Sequence, residues 1–431
     1  MGILIKGGRV IDPDTKLDEV TDVYIEDGLI QKVGKIKQGE ADQVLDAKGC
    51  YVMPGLIDLH VHFRDPGQEE KEDIASGGKA AAKGGFTTVL AMPNTHPVID
   101  TASRVNYVHH KADEVSPIHV LQAGAITKGQ KGTELADIEE MIQAGIPAIS
   151  EDGKSVMNSQ LYLDAMLIAK KHNIPVMAHC EDQMLVGSGC MNDDEKAAQL
   201  GLPGISSMVE NIIVARDIFL AQDAGVHLHL CHCSTKQSVH MLQLIKDTGC
   251  SVTGEVCPHH FTLCSEDIPG DNPNFKMNPP LRRHEDKEAL RKALKEDVVD
   301  VISTDHAPHT LKEKEGSMKN APFGVVGLET CVPLVITELV DKGILTPMQM
   351  AEKMSRNPAQ ILNLDKGTLR EGKAADITII DPDEEYIIDA RTFVSKGKNT
   401  PFNGRKVKGR VTATICDGKI VYQAGQMEND L

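Results

Sequence analysis

Short apolar segments rich in β-branched residues recur along the middle of the chain about every 30 residues. Eight can be counted: YVMPGLIDLH, FTTVLAM, IHVLQAGAI, AGIPAISED, IPVMAHCE, VHLHLCHCS, CSVTGEVCPHH and VDVISTDHAPH. Amphipathic stretches such as LYLDAMLIAKKHN and STKQSVHMLQLIKDTG separate them. Strands that alternate with helices eight times predict an α/β fold, a parallel (β/α)8 TIM barrel whose apolar strands are covered on both faces.

The stretch SSMVENIIVARDIFLAQ shows the helical pattern in detail. Ser207 and Glu210 stand three residues apart, which predicts a capping box at the start of the helix. Its apolar residues are predicted to share one buried face: Val209, Ile212, Ile213 and Leu220.

Both ends of the chain have a different, two-residue alternation. DVYIEDGLIQKVG turns at Asp27-Gly28 and VTATICDGKIVYQAG turns at Asp417-Gly418, and each is a strong hairpin signal. Neither end has enough strands to be stable alone. We therefore predict that residues 1–52 and 370–431 join into one small β-sandwich domain, while residues 53–369 form the barrel.

Composition narrows the function classes. The chain has 431 residues, 41% of them apolar, which is enough for a large core, and a formal net charge of −17 without a basic cluster, which argues against a nucleic-acid partner. No apolar run is long enough for a membrane span, and the first residues lack a signal-peptide pattern, so we expect a soluble, cytoplasmic protein. The ten cysteines lack CxxC pairs and are expected to be buried free thiols.

Polar residues concentrate where the predicted strands end, which is where barrel enzymes hold their reactive groups. Taken singly, such a residue is more often a hydrogen-bonded structural residue than a ligand. Their coincidence on one rim indicates a site. The candidates are His60, His62, Asp152, His179, His232, Asp305 and, just beyond, His309.

Residues i and i+2 of a strand point the same way, so His60 and His62 can direct both imidazoles into the barrel mouth. Imidazole with carboxylate suits zinc or a similar divalent ion, and Asp152 is placed to bridge two ions. A bound ion lowers the pKa of its water to about 7, which indicates hydrolysis. Asp305 is placed to act as general base and then as general acid.

Arg64 follows the histidine pair directly. Its planar fork matches a carboxylate with two hydrogen bonds, so a substrate carboxylate is the predicted partner. The alternative is an intramolecular pair with Asp65 or Glu69, and Pro66 with Gly67 turns the chain out of the strand.

Four blocks in order, DLHVHFRDPG, GGFTTVLAMPNT, KMNPPLR and STDHAPHTLKEK, resemble the dihydroorotases of the amidohydrolase superfamily, in the group found in many bacteria as a stand-alone enzyme. The resemblance implies the reversible cyclisation of N-carbamoyl-L-aspartate to dihydroorotate, the third step of pyrimidine synthesis. It also implies two Zn²⁺ ions per subunit, the first held by His60, His62 and Asp305, the second by His179 and His232, with Asp152 as the bridge.

The same resemblance implies that Arg64, Asn94 and His309 hold the substrate carboxylate. The full implied substrate-binding set is His62, Arg64, Asn94, Asn278, His309, Phe323 and Gly324. Two positions depart from the family pattern. Glu151 stands where a second aspartate is common before Asp152, and we expect it to point away from the site. Ser303 replaces a small Gly or Ala.

Other hypotheses about the function stay open. Hydantoinase and dihydropyrimidinase relatives typically bridge their metals with a carbamylated lysine on the fourth strand, but AGIPAISED has no lysine, and Lys154 lies past the glycine. Allantoinases usually lack the arginine. A non-catalytic scaffold is a further alternative, although such proteins usually lose ligands. His259 and His260 are expected to make supporting hydrogen bonds, and His306 to be structural.

The resemblance also bears on assembly. Homodimers are common in the resembled family, so a homodimer is expected, while association with aspartate carbamoyltransferase is left open. Whether the loop at residues 310–323 acts as a lid is left open as well.

Overall fold

The computed structural model describes residues 2–36 and 41–425. Their strands, in chain order, are β1 Ile3–Asp12, β2 Leu17–Glu26, β3 Leu29–Gly34, β4 Gln43–Asp46, β5 Tyr51–Pro54, β6 Leu56–Val61, β7 Phe86–Ala91, β8 His119–Gln122, β9 Gly124–Ala125, β10 Ile149–Ser150, β11 Val176–Ala178, β12 Met191–Asn192, β13 Gly204–Ile205, β14 Leu228–Leu230, β15 Val252–Val256, β16 Val301–Ile302, β17 Ile377–Ile387, β18 Lys406–Cys416 and β19 Lys419–Gln423.

Helices fill most of the connections. They are α1 Ile74–Lys83, α2 Ala102–Val115, α3 Ile138–Gln143, α4 Ser159–Lys171, α5 Glu195–Leu200, α6 Met208–Ala224, α7 Lys236–Lys246, α8 Pro258–Thr262, α9 His284–Lys295, α10 Leu328–Val335, α11 Pro347–Ala351 and α12 Asn357–Ile361. Within the described ranges, no helix combines the length and the apolar character that a membrane crossing requires.

The middle of the chain forms the predicted barrel. Parallel pairing runs in chain order through β6, β7 and β8, and then from β9 through β10, β11, β14 and β15 to β16. Only Ala123 separates β8 from β9, and its N–H donates to the Ala91 carbonyl of β7 at 2.9 Å. The two short strands therefore act as one strand of the barrel. The ring closes where the His62 N–H donates to the His306 carbonyl at 2.8 Å. All eight predicted strands are therefore confirmed.

The two ends of the chain join in one eight-stranded sheet of order β19-β18-β17-β5-β1-β2-β3, with β4 paired to β1. Its apolar residues form a core separate from that of the barrel, with contributions from both ends such as Ile5, Val23, Ile379 and Ile415. This confirms the small terminal β domain. The predicted boundary after residue 52 falls inside β5.

Both predicted hairpins are present. Asp27 and Gly28 connect β2 to β3 with φ of 52° and 81°, and Asp417 and Gly418 connect β18 to β19 with φ of 48° and 73°. Two successive positive φ values define the type I′ turn that suits the twist of a hairpin. The turns also contact each other through Ala375, whose N–H donates to the Gly28 carbonyl and whose carbonyl accepts from Gly418 N–H, at 2.9 and 3.0 Å.

The predicted capping box at α6 is wrong. Ser207 has helical backbone angles and makes no side-chain cap. The Glu210 side chain instead turns inward, accepts hydrogen bonds from Ser234 N–H at 2.9 Å and Ser238 Oγ at 2.7 Å, and lies 3.6 Å from Arg282 Nη2. A buried arginine and several donors from distant segments outcompete the local cap. Ile212, expected on the buried face, is 42% exposed.

The cysteines are as expected: all ten are free thiols, and all but Cys250 are buried.

One part of the C-terminal segment does not belong to the terminal sheet. Between β17 and β18 the chain crosses to the barrel, where Val326 N–H donates to the Asn399 carbonyl at 2.9 Å. The C-terminal segment thus contributes both to the sheet and to the surroundings of the barrel mouth.

The contact between the two hairpin turns can be tested with a matched pair of glycines. A Cβ on Gly418 would lie 2.6 Å from the Gly28 Cα, whereas one on Gly372, with a similar positive φ of 83°, would meet nothing within 4 Å. Both alanine variants carry the backbone strain of a positive φ, but only Gly418→Ala adds a backbone clash. We expect Gly418→Ala to lower the free energy of unfolding by about 1–3 kcal/mol more than Gly372→Ala, measured by denaturant titration. Equal losses would show that the two turns separate at no cost.

Candidate active site

The structure brings the six predicted metal-site residues together at the carboxyl ends of the barrel strands. His60 is the penultimate residue of β6, His179 follows β11 directly, and the others lie within three residues of the ends of β6, β10, β14 and β16. All six are at most 6% exposed: His60, His62, Asp152, His179, His232 and Asp305. Residues separated by more than two hundred positions along the chain meet here, because the parallel strands of the barrel all end on the same rim.

Asp152 occupies the centre of this cluster. Its Oδ1 lies 3.1 Å from His60 Nε2, 3.5 Å from His179 Nδ1 and 3.8 Å from His232 Nε2. Its Oδ2 lies 3.6 Å from His62 Nε2. A single carboxylate that faces four imidazoles has the arrangement expected of a bridging ligand.

Asp305 closes the other side. Its Oδ1 lies 3.1 Å from His62 Nε2 and 3.7 Å from His60 Nε2. Burial disfavours the charged carboxylate, but the hydrogen bond from His62 and the nearby imidazoles outweigh it and hold the pKa of Asp305 well below its usual range. The carboxylate is therefore ionised at neutral pH.

The cluster fits a divalent cation. His60 Nε2 and Asp152 Oδ1 are buried atoms without a hydrogen-bond partner, although they face each other. Two overlapping groups, His60–His62–Asp305 and His60–Asp152–His232, each bring their ligand atoms within 4.8 Å of one another. Burial opposes a charge on His179, yet the bonds to Asp152 and Glu181 raise its pKa to about 10. The buried carboxylates of this pocket are stabilised by positive charge, and a metal ion supplies that charge better than protons on the imidazoles do.

Glu255, which sequence reasoning missed, orients His60. Its Oε1 lies 2.8 Å from His60 Nδ1 and its Oε2 lies 3.1 Å from His229 Nε2, all within the barrel interior and unexposed. A carboxylate on Nδ1 fixes the imidazole with Nε2 toward the cluster, as is usual for metal-binding histidines. The available signal was a carboxylate inside the apolar strand VTGEV.

Asp305 has an unusual backbone conformation, with φ of 48°, and is held from both sides. On one side Thr304 donates to Asp58, from N–H at 3.1 Å and from Oγ1 at 2.5 Å. On the other side His306 lies 3.3 Å from Glu72 and accepts from Gly327 N–H at 3.2 Å. These contacts confirm that His306 is structural, and they explain how a strained conformation persists.

Arg64 pairs with neither of the two carboxylates expected from the sequence. Asp65 pairs with Lys111 at 2.7 Å, and Glu69 accepts from the Gly67 N–H at 2.8 Å. Arg64 instead donates from Nε to the Pro308 carbonyl at 3.3 Å and lies 3.4 Å from His309 Nε2. Among the described residues, none places a carboxylate oxygen within 4.0 Å of this guanidinium. The alternative partners from the sequence are thus wrong, and the cation is left available at the barrel mouth.

His309 is the neighbour of Arg64. Its Nε2 lies 2.8 Å from the Phe323 carbonyl, so that nitrogen carries a proton. Burial and the adjacent Arg64 lower its pKa to about 3, so the ring is neutral at ordinary pH. The Nδ1 atom is buried and lies 3.5 Å from Glu313 Oε2, and no described residue forms a hydrogen bond with it.

Two predicted substrate-binding amides are engaged with the cluster itself. Asn94 places Oδ1 2.9 Å from His62 Nδ1 and donates from Nδ2 to Asp152 Oδ2 at 3.2 Å. Asn278 donates to Glu181 Oε2 at 2.5 Å, and that oxygen lies 3.8 Å from His179 Nε2. Glu181, another residue that sequence reasoning missed, thus lies between a metal-site imidazole and an amide of the KMNPPLR block.

The remaining predicted residues adjoin the same mouth. Phe323 contributes its carbonyl to His309, and Gly324 has a φ of 130°. Glu151 points away as expected, because it accepts from the N–H groups of Ile126 and Thr127 at 3.1 and 3.0 Å. His260 bonds the Pro279 carbonyl at 2.9 Å, as a supporting residue would.

The loop at residues 310–323 is tied down in this conformation. Lys314 Nζ donates to three carbonyls, of Pro273, Lys276 and Pro322, at 2.9–3.2 Å. Glu313 pairs with Lys71 at 2.9 Å. A role as a lid stays a prediction.

Comparisons with known proteins agree on the family. The profile of the amidohydrolase family matches residues 51–421. The chain is 47% identical over 427 residues to a dihydroorotase of Geobacillus sp. strain WCH70, covering 99% of this chain and all of that one. It is also 47% identical over 423 residues to a dihydroorotase of Clostridioides difficile strain 630, with 98% and 100% coverage.

Solved structures show the same fold with other named activities. The L-hydantoinase (dihydropyrimidinase) of Arthrobacter aurescens superposes with a TM-score of 0.88 at 25% identity, covering 99% of this chain and 97% of that one. The D-hydantoinase (dihydropyrimidinase) of Thermus sp. gives 0.85 at 26% identity, with 99% and 96% coverage. The much higher identity to the curated relatives decides the branch: this chain belongs to the amidohydrolase family and, within it, to the dihydroorotases.

Proposed function

We propose that the protein catalyses the reversible cyclisation of N-carbamoyl-L-aspartate to dihydroorotate with loss of water, the third step of de novo pyrimidine synthesis. The full-length relatives named dihydroorotase support this reaction. The observation that carries it is the guanidinium of Arg64, which pairs with no carboxylate of the described residues and lies beside a buried histidine and carboxylate cluster. One carboxylate survives in both the open and the closed form of this substrate, and Arg64 is its natural partner.

The residues would hold two zinc ions. We assign His60, His62 and Asp305 to the first and His179 and His232 to the second, and Asp152, which lies among four imidazoles, would contribute to both. When bound, zinc polarises a carbonyl and lowers the pKa of bound water to about 7.

Asp305 carries the proton in this scheme. In the hydrolytic direction water adds to the ring carbonyl, the amide C–N bond breaks, and the nitrogen needs a proton. Ionised Asp305 accepts the proton of the attacking water and returns it to the leaving nitrogen. The rigid support from Thr304 and His306 on either side keeps this carboxylate in place between the two transfers.

Arg64, His309 and Asn94 orient the substrate. Arg64 would bind the surviving carboxylate, and neutral His309 adjoins it without adding a competing charge.

Ring closure converts a second carboxylate into an amide and consumes a proton. Each unit of pH therefore shifts the equilibrium about tenfold, or ~1.4 kcal/mol, toward the open chain as pH rises.

A hydantoinase-like activity is the second candidate, because the solved hydantoinases share the fold. Two features argue against it. The fourth strand has no lysine, and Asp152 takes the position proposed for the bridge. A substrate without a carboxylate would also leave the presence of Arg64 unexplained. A non-catalytic scaffold is disfavoured because all six metal-site positions are filled. Cytoplasmic location stays a prediction from the sequence, and a homodimer stays a prediction from the resemblance. Association with aspartate carbamoyltransferase stays open.

The assigned role of Asp305 predicts a selective loss of turnover. Asp305→Asn keeps the size of the side chain but cannot accept the proton, so we expect kcat for dihydroorotate to fall by roughly 10²–10⁴. Asp341→Asn, an exposed pair partner of Lys408 at 3.1 Å, serves as control and is expected to leave kcat unchanged. Initial rates in both directions provide the measurement. A kcat for Asp305→Asn near that of the control would contradict the assignment.

The role of Arg64 predicts a substrate-selective defect. Arg64→Met should weaken transition-state binding of dihydroorotate by roughly 2–5 kcal/mol in kcat/KM, because the substrate carboxylate would lose its partner. Any activity toward dihydrouracil, hydantoin or allantoin, which lack this carboxylate, should change little. The control is Arg391→Met, since Arg391 is exposed and pairs with Asp389 at 2.6 Å. Equal losses on all substrates would count against a carboxylate-binding role.

The metal assignment predicts a stoichiometry. Protein expressed with ample zinc should carry two ions per chain by elemental analysis, and Asp152→Asn should carry fewer because the bridge is weakened. Exhaustive chelation should abolish turnover of dihydroorotate, and zinc should restore it. Full activity of wild-type protein from which the metal has been removed would refute the proposed centre.

A further inference from the structure

The segment between β17 and β18 brings one buried amide to the barrel mouth. Asn399 is 3% exposed although it lies in a stretch that connects two strands of the terminal sheet. Its Nδ2 donates to the carbonyls of Ala307 and Gly324, each at 3.0 Å, and its Oδ1 accepts from His309 N–H at 3.0 Å. The side chain is therefore bonded on both of its ends.

These bonds connect two loops that approach each other very closely. A Cβ on Gly324 would lie 2.7 Å from the Ala307 Cβ and 3.2 Å from His309 Nε2. The backbone reinforces the contact, because Ala307 N–H donates to the Val325 carbonyl at 2.9 Å and Val326 N–H donates to the Asn399 carbonyl at 2.9 Å. The separation between His309 and Gly324 is thus set by a small number of bonds, and three of them end on one side chain.

We propose that Asn399 is a positioning residue for the substrate-binding face formed by His309 and the backbone at Gly324. This inference rests on the proposed function, in which the substrate carboxylate binds beside Arg64 and His309. The hydrogen bonds of the amide go to His309, Ala307 and Gly324 rather than to the metal-site residues or Arg64, so it acts through the loops it joins. Part of the C-terminal segment therefore belongs functionally to the active site of the barrel.

The chemistry of the amide indicates which variants are informative. Asn399→Asp preserves the shape and the acceptor for His309 N–H, but it replaces two N–H donors with an oxygen that faces two carbonyl oxygens. Asn399→Ser keeps a single short donor. Asn403→Asp is the matched control, because Asn403 lies in the same segment, is exposed, and uses only its Oδ1, to accept from Ala390 N–H at 2.9 Å.

The first measurement uses orotate, a planar ring that carries the same carboxylate, as the ligand of the metal-loaded enzyme. We expect Asn399→Asp to weaken orotate binding about tenfold, as the loss of buried hydrogen bonds implies, and to raise KM for dihydroorotate more than it lowers kcat. Asn399→Ser should lie between this variant and wild type, and it carries the test if Asn399→Asp does not fold. Asn403→Asp should match wild type, and bound metal should be the same in all four proteins.

The second measurement needs no ligand. Amide hydrogen exchange should accelerate in peptides that cover residues 306–310 and 323–327 of Asn399→Ser, and stay unchanged in peptides from β6 and β7. Orotate affinity within twofold of wild type, or a loss that parallels loss of bound metal, would overturn the positioning role. If wild type itself neither binds orotate nor converts dihydroorotate, the proposed function fails, whereas the exchange result still decides whether Asn399 holds the two loops.

Discussion

The architecture of the barrel mouth follows from one electrostatic constraint, the burial of carboxylates that need a cation. Asp152 and Asp305 are at most 6% exposed, and among the described residues the close polar partners of their carboxylates are imidazoles and the amide of Asn94. Carboxylates in such surroundings are costly unless positive charge compensates them. The four histidines place ring nitrogens around the same carboxylates, and a divalent ion would interact favourably with both groups at once. The convergence of distant strand ends is what makes this compensation geometrically available.

A second layer of hydrogen bonds keeps this cluster rigid. Glu255 fixes the ring of His60, Asp58 holds Thr304 beside Asp305, and Glu181 lies between His179 and Asn278. These acidic groups are themselves buried, so each is stable only with its own donors present. The site is therefore built as a network, in which the ligands and their supports depend on each other.

The sequence predicted the parts that local pattern determines. Period-two alternation with Asp-Gly turns predicted both hairpins, and recurrent apolar segments predicted the eight barrel strands and hence the rim that carries His60 to Asp305. It failed where a partner lies far along the chain. Glu210 has a perfect local position for a cap, but Arg282 and Ser234 bind it instead, and nothing around Asn399 indicates that its amide reaches Ala307 and Gly324. Long-range hydrogen bonds carry no periodic signal.

The likeness to hydantoinases shows how little of the substrate choice resides in the backbone. Structures at 25–26% identity superpose with TM-scores of 0.85–0.88, so strand positions and the common rim are shared with proteins of other named activities. Selectivity must then arise from a few side chains placed on that rim. Arg64 is the clearest of them, because it has positive φ, no carboxylate partner among the described residues, and a neutral neighbour in His309. A cation kept unpaired in the free protein avoids the cost of breaking an internal ion pair when an anionic substrate binds, and the group that accepts the hydrogen bond from Arg64 Nε is accordingly a carbonyl, that of Pro308.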